Sequence, residues 1–194
     1  AGAGTLVVGA INTYGGATTI NQGTLSYTAN QNLASVTNTL IFGAASGSTN
    51  VGTLDLNTNS ATFGGAATVQ TNTVSANIIN IGATQTLRLN NSFTVGYNST
   101  ANSTTRMNVI GAGTLTIGAA GQPTNANVQI GNGQTTQISN AATLDLSGVS
   151  TFYANLGTGT FRVGDPTNAG GAALAGSTLI LAPASTIIAT ACNG

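Results

Sequence analysis

TYGGATTI (residues 13–20) and TFGGAATV (62–69) are nearly one octapeptide written twice, starting 49 positions apart. Extending both copies outward lengthens the match. GTLVVGAINTYGGATTINQGTLS (4–26) lies over GTLDLNTNSATFGGAATVQTNTVS (52–75), with one extra residue in the second. A shorter duplication pairs GAGTLVVGA (2–10) with GAGTLTIGA (111–119). One theme runs through the chain: Thr, then Leu or Phe, any residue, then an apolar residue. It appears as TLVV (5–8), TLSY (24–27), TLIF (39–42), TLDL (53–56), TLRL (86–89), TLTI (114–117), TLDL (143–146), TFRV (160–163) and TLIL (178–181).

Apolar residues at every second position, bounded by Gly and Asn, read as short half-buried strands. Taking one copy per turn, the steps 24→53, 53→86, 86→114, 114→143 and 143→178 are 29, 33, 28, 29 and 35 residues. Such periods belong to solenoids, propellers or arrays. Propeller blades need longer periods and four meandering strands each. The spacing therefore predicts an all-β, parallel β-solenoid of about 30 residues per coil, with roughly six coils over a single domain, 1–194. At about 4.8 Å per coil the rod is roughly 30 Å long. In this reading the octapeptide is a coil corner: Tyr14, Gly15, Gly16 in one copy and Phe63, Gly64, Gly65 in the other. The glycines supply the positive φ or the close approach that a corner needs.

Composition agrees. Charged residues are 3% of the chain, against about 25% in ordinary globular proteins. They are Asp55, Asp145, Asp165, Arg88, Arg106 and Arg162, with no Lys, Glu or His. Thr occurs 34 times, Asn 23 and Gly 27, which favours strands and turns over helices. A net charge of zero offers nucleic acid no basic surface and anionic membranes no attraction. No stretch of 18 apolar residues spans a bilayer, so membrane insertion is not expected. The absence of charge repulsion favours self-association. The chain begins at Ala1 without Met and reads as a processed product or a fragment of a longer chain. A lone Cys192 excludes an internal disulfide framework, leaving a buried residue, a free thiol or an intermolecular link.

The stretch GAGTLVVGAINTYGGATTINQGTLSY (2–27) resembles the autotransporter-associated β-strand repeat of bacterial surface passenger proteins. That family's phrase runs as a G-x-GTL strand, a short link, N-T-Y-T-G-G-T-T-I, then N-x-G-T-L. Here Gly15, Gly16 and Ala17 stand where the family prefers T-G-G, and the copy at 52–75 matches more loosely. Together the two copies cover about a quarter of the chain. The resemblance implies a right-handed parallel β-helix on, or released from, a bacterial cell, and it implies no catalytic residues.

Chemistry has little to work with. Without His, Lys or Glu the usual bases, Schiff-base amines and imidazole ligands are missing, so neither an enzyme, a metal site nor a cofactor is expected. Asp55 and Asp145 occupy matching TLDL strands about three coils apart, roughly 14 Å by the stacking rise, beyond the ~5–10 Å of glycosidase pairs. Aligned outward slots read Ser26, Asp55, Arg88, Thr116, Asp145, which predicts a surface ion pair between Asp55 and Arg88. Asp165 reads as a turn residue before Pro166. The sequons at Asn90, Asn98 and Asn102 read as chance in so Asn-rich a chain. Tyr14, Tyr27, Tyr97 and Tyr153 read as rings packed at corners and strand ends, with contact to sugars or a neighbouring subunit as the alternative.

The function expected is a structural, non-enzymatic subunit, extracellular or on a bacterial cell surface, that binds copies of itself head to tail into a fibre, sheath or surface layer. Open coil ends carry that expectation. Its candidate contacts are Ala1, Gly2, Thr5, Leu6, Val7 and Val8 at one end, and Thr178, Leu179, Ile180, Leu181 and Cys192 at the other. An adhesin presenting a side face to glycans is the alternative. Ice binding is a remote one, since Thr-x-Thr occurs at 37–39, 71–73, 84–86, 114–116 and 158–160.

Overall fold

Alternation of apolar and small polar residues does produce strands, short ones, because Gly, Asn or Ser interrupts every run. The computed structural model describes residues 3–43, 48–98, 103–118, 125–133, 141–164, 176–189 and 191–193. The first turn contributes β1 (Thr5–Val8) and β2 (Thr18–Ile20). Each later turn contributes three strands. The second has β3 (Gly23–Tyr27), β4 (Gln31–Leu33) and β5 (Leu40–Phe42). The third has β6 (Gly52–Asn57), β7 (Ala61–Phe63) and β8 (Ala67–Val69). The fourth has β9 (Asn77–Ile81), β10 (Thr86–Leu89) and β11 (Phe93–Asn98), and the fifth β12 (Thr104–Ile110), β13 (Thr114–Ile117) and β14 (Val128–Gly133). The sixth has β15 (Ala141–Asp145), β16 (Thr151–Asn155) and β17 (Thr160–Val163). The last has β18 (Thr178–Ile180), β19 (Ala184–Ile188) and β20 (Ala191–Asn193).

These strands stack into three parallel sheets that form the sides of a solenoid. Sheet I runs β1-β3-β6-β9-β12-β15-β18, sheet II β4-β7-β10-β13-β16-β19, and sheet III β2-β5-β8-β11-β14-β17-β20. The expected all-β parallel β-helix is what the chain forms, as six three-sided turns preceded by one that lacks a strand on sheet II. Seven turns at about 4.8 Å make a rod roughly 34 Å long.

Inward residues pile into columns. On sheet I, Leu6, Leu25, Leu54, Ile79 and Val109 are successive register partners. Leu146 follows, one position beyond the Asn108–Asp145 pair. Leu181 closes the column, one beyond Asp145–Ile180, with the Leu146 N–H donating to the Ile180 carbonyl. Sheet III stacks Ile20, Phe42, Val69, Val95, Ile130 and Val163 in the same way. The interior is therefore one continuous apolar cluster. A single buried amide interrupts it on sheet I. Asn77 donates to Thr71 Oγ1 (2.9 Å) and the Arg106 carbonyl (3.2 Å) and accepts from the Gly52 N–H (3.0 Å), which satisfies it without water.

The T-L-x-L theme does not occur once per turn on one side, and this corrects the sequence reading. TLSY and both TLDL segments lie on sheet I, TLRL and TLTI on sheet II, and TLIF and TFRV on sheet III. Thr53 pairs with Ile78 of NIINI, not with Thr86. Thr114 pairs with Thr151, not Thr143. Alternation is the same requirement on all three faces, so the same phrase serves each. The 49-residue repeat likewise spans two turns, since Thr18 pairs with Leu40 and Leu40 with Ala67.

The octapeptide is a corner leading into sheet III, entered in its second copy from sheet II. In the second copy Phe63 ends β7 and Gly64–Gly65 turns the chain toward β8. Neither corner glycine has a positive φ; close approach is the reason they are glycines. A Cβ on Gly64 would overlap the Ala34 carbonyl of the preceding turn, and one on Gly65 would lie 2.7 Å from the Val36 oxygen. In the first copy Gly15 would meet only Thr37 Oγ1, at 3.9 Å, and Gly16 nothing within 4 Å.

Candidate functional site

The first turn is built short. It joins β1 to β2 with nine residues (9–17), where the second turn spends twelve (28–39) between β3 and β5. The third turn also joins β6 to β8 with nine residues (58–66) and still forms β7, so length alone does not account for the missing strand; β4 is the outermost strand of that side. The side chain of Gln31 holds the link in place instead. Its Nε2 donates to the carbonyls of Ala10 (2.9 Å) and Ala29 (3.0 Å), and its Oε1 accepts from the Asn12 N–H (3.1 Å) and Nδ2 (3.2 Å). Asn38, buried in the second turn, donates to the Tyr14 carbonyl at 2.6 Å and the Gly16 carbonyl at 3.3 Å.

Behind this link the bore of the solenoid is open. A cavity of about 740 Å³ is lined by Leu6, Val8, Ile20, Leu25, Tyr14 and Tyr27, among others. Three hydroxyls gather at its wall: Tyr14 Oη lies 2.5 Å from Thr18 Oγ1 and 3.3 Å from Tyr27 Oη. Burial, reinforced by the Tyr14 hydroxyl, raises the Tyr27 phenol well above its ordinary pKa, so it stays a protonated donor. The mouth is thus apolar with a small neutral polar rim.

The other end is a flat edge of three strands, β18, β19 and β20. Its core-facing residues are only partly covered: Leu179, Ile187 and Ala189 pack half-buried against the core. Along the sheet I column exposure is 64% at Leu6, 9% at Leu25, 0% at Leu54, Ile79, Val109 and Leu146, and 45% at Leu181. The column is finished in the middle and bare at both ends.

The two sets of candidate self-assembly residues occupy opposite ends of one sheet. Thr5, Leu6, Val7 and Val8 are β1, its first strand; Thr178, Leu179 and Ile180 are β18, its last, with Leu181 next along the chain. Within one chain they never meet. Ala1 and Gly2 lie outside the described residues. Cys192 is in β20, opposite Phe161, and its side chain also lies outside them. Asp165 and the sequons at Asn98 and Asn102 involve residues that are not described; Asn91 of the remaining sequon accepts from the Ser92 N–H at 2.7 Å.

The expected Asp55–Arg88 ion pair is corrected. Asp55 is on sheet I, where its register neighbours are Ser26 and Asn80; Arg88 is on sheet II, between Thr62 and Thr116. Asn80 Nδ2 (2.9 Å) and Ser26 Oγ (3.3 Å) serve the Asp55 carboxylate instead. Asp145 sits three turns from Asp55 in the neighbouring outward row, and its Oδ1 accepts from the Ser147 N–H and hydroxyl. Among the described residues no group of His, Cys, Asp and Glu comes together that would hold a metal ion, and no helix is long and apolar enough to cross a membrane. The Thr-x-Thr segments fall on corners and on different sheets, with Thr116 buried, so they build no flat threonine face. Of the tyrosines, Tyr27 is buried, whereas Tyr14, Tyr97 and Tyr153 are each more than a third exposed.

Sequence reasoning missed the mouth, the hydroxyl cluster and the inward residues of β19. One signal was there: TLVV and TLSY are 19 residues apart, the shortest step between successive strands of sheet I, and most of the shortening falls in the two-residue corner between β2 and β3. No family model matches the sequence, and comparison with curated proteins and with solved structures returned no match.

Proposed function

We propose that the protein is a structural β-solenoid subunit, extracellular or carried on a bacterial surface, that associates end to end into a fibre, sheath or surface layer. One observation carries this reading: among the described residues both ends of the rod present uncovered parallel strands, with the core-facing Leu6 bare at one end and Leu181 at the other, and the outward Val7, Ile180 and Ile188 exposed beside them. Uncovered edges and apolar ends are normally blunted by charge, bulges or a covering element. Here the net charge is zero. The resemblance of residues 2–27 to bacterial passenger repeats supports the extracellular placement. Negative-stain electron microscopy at neutral pH, with and without reductant, tests the reading. Filaments are the expected outcome, and their loss under reductant would make Cys192 the link. Dispersed short rods in both samples would overturn it.

A second reading, a glycan-binding passenger segment, has its own observation. A shallow groove of about 330 Å³ follows the corner between sheets II and III, lined by Ala34, Val36, Gly64, Asn90, Asn91 and Asn125. The Asn90 Oδ1 there is buried with no hydrogen-bond partner among the described residues. Amides and carbonyls without charge suit neutral sugar hydroxyls. Binding in a glycan screen by dispersed rods would favour this reading over the first.

A further inference from the structure

We infer that the mouth of the first turn is closed by the last turn of a second copy, parallel to it and in the register that sets Leu181 opposite Leu6. This rests on the end-to-end reading above and gives it a polarity and a register. The sheet I column carries it. Its seven members are aliphatic throughout, and only the two terminal ones are exposed. Adding one turn at the same register places Leu181 of one copy on Leu6 of the next, so two bare residues complete one column. The same step sets Ile180 opposite Thr5, at the head of the outward row Thr5–Thr24–Thr53. On sheet III it continues Phe161–Cys192 onto Thr18 and Arg162–Asn193 onto Thr19.

Sheet II makes the fit specific. The incoming β19 finds no strand in the first turn, since sheet II ends at β4. What it finds is the cavity, and the core-facing residues of the last turn, Leu181 and Ile187, are the apolar groups positioned to enter it. At the adjoining corner Gly15 and Gly16 keep side chains off the open face. Gly64–Gly65 do the same toward the turn that precedes them. Parallel strands oblige both copies to run the same way, so the contact is heterologous and repeats without closing. A filament built so advances by roughly 34 Å per subunit at the 4.8 Å rise of each turn.

Two half-blocked variants test polarity. Leu6→Asp and Leu181→Asp each place a charge on one end of an otherwise intact rod, at positions exposed in the single chain. By sedimentation each variant alone is expected to be a monomer with the wild-type circular dichroism spectrum, and an equal mixture to give a one-to-one dimer and nothing larger. Register is tested in a Cys192→Ala background carrying Leu6→Cys and Leu181→Cys. Neighbouring strands lie about 4.8 Å apart, within disulfide reach, so mild oxidation is expected to give a covalent ladder. Val7→Cys with Leu181→Cys, one residue out of step, is expected to give none. Dimers of Leu181→Asp alone would mean a head-to-head contact and overturn the proposal while self-association stood. Wild-type filaments without the ladder would overturn the register alone. Monomeric wild-type protein would remove both this inference and the reading beneath it. Filaments that still bind anilinonaphthalene sulfonate as strongly as the Leu181→Asp monomer would give the mouth to a small apolar ligand, and the inference would fail.

Discussion

The two octapeptides carry almost the same residues into opposite surroundings. TFGGAATV is enclosed: Phe63 has no exposed surface, and Gly64–Gly65 lie where the preceding turn's backbone leaves no room for a Cβ. TYGGATTI is at the rim: Tyr14 is 40% exposed, and Gly15–Gly16 face open space. What distinguishes them is the presence of a turn on the N-terminal side. A corner glycine in a solenoid is therefore a demand made by the neighbouring turn, and the first copy carries the residue without that neighbour.

Substitutions made in pairs would sharpen this contrast. The largest difference is expected at the aromatic position. Phe63→Ala empties a site in the closed core and should cost about 3–5 kcal/mol. Tyr14→Ala, at a half-open rim, should cost about 1 kcal/mol through its lost hydroxyl contacts. Urea denaturation of both variants checks it, and equal losses would mean the rim is as tightly packed as the interior. The glycines come next. Gly64→Ala forces the backbone away from Ala34 and should cost about 1–3 kcal/mol or somewhat more. Gly16→Ala should stay within about 0.5 kcal/mol in the monomer.

Much of this was legible from the chain. Each T-L-x-apolar segment lies in a strand or overlaps one, because alternation and flanking Gly or Asn act locally. Which side a strand joins was not legible, because that depends on corner length. NIINI (77–81) takes the sheet I position opposite Thr53 without any Thr-Leu signal, and this displaced Arg88 from the slot beside Asp55. Placing β9 needed the short corner after β8, whose buried Thr71 and Asn77 are joined by a hydrogen bond that composition does not reveal. The mouth was half legible. The 19-residue step signalled an abbreviated turn, but the hydroxyl cluster depends on where the link holds Tyr14.

Asn38 ties the two copies together and had no signal in sequence, since its importance comes from lying between them. Its amide holds the Tyr14 and Gly16 carbonyls of the first turn, and its carbonyl accepts from the Gly65 N–H of the third at 3.0 Å. Asn38→Ala keeps the second contact and loses the first, leaving two carbonyls without their donor. A cost of about 1–3 kcal/mol follows if those carbonyls stay buried, and about 1 kcal/mol if water reaches them. Hydrogen exchange separates the cases: faster exchange confined to residues 13–20 is expected, whereas loosening that extends through β7 and β8 would mean that Asn38 supports both corners equally.

A further effect is nil at neutral pH and appears only in alkali: a dependence on pH that arises at the mouth. Tyr27 stands in the column after Val8, and one turn deeper the next position holds Leu56, which cannot titrate. Burial first, and then the hydrogen bond with Tyr14, raises the Tyr27 pKa in the folded chain. An unfolded tyrosine titrates near 10. Below that pH both states hold the proton, and stability does not depend on it. Above it the unfolded chain releases the proton while the folded chain keeps it, so stability falls by about 1.4 kcal/mol per pH unit until the folded pKa is reached. Denaturation at intervals from neutral pH into this range should show the decline beginning near pH 10. Tyr27→Phe should remove that share of the slope, since a buried ring without a hydroxyl has no proton to hold. If the slope is unchanged in Tyr27→Phe, the mouth does not set the alkaline limit, and the wall of the cavity is wet enough for Tyr27 to ionise as it does in water.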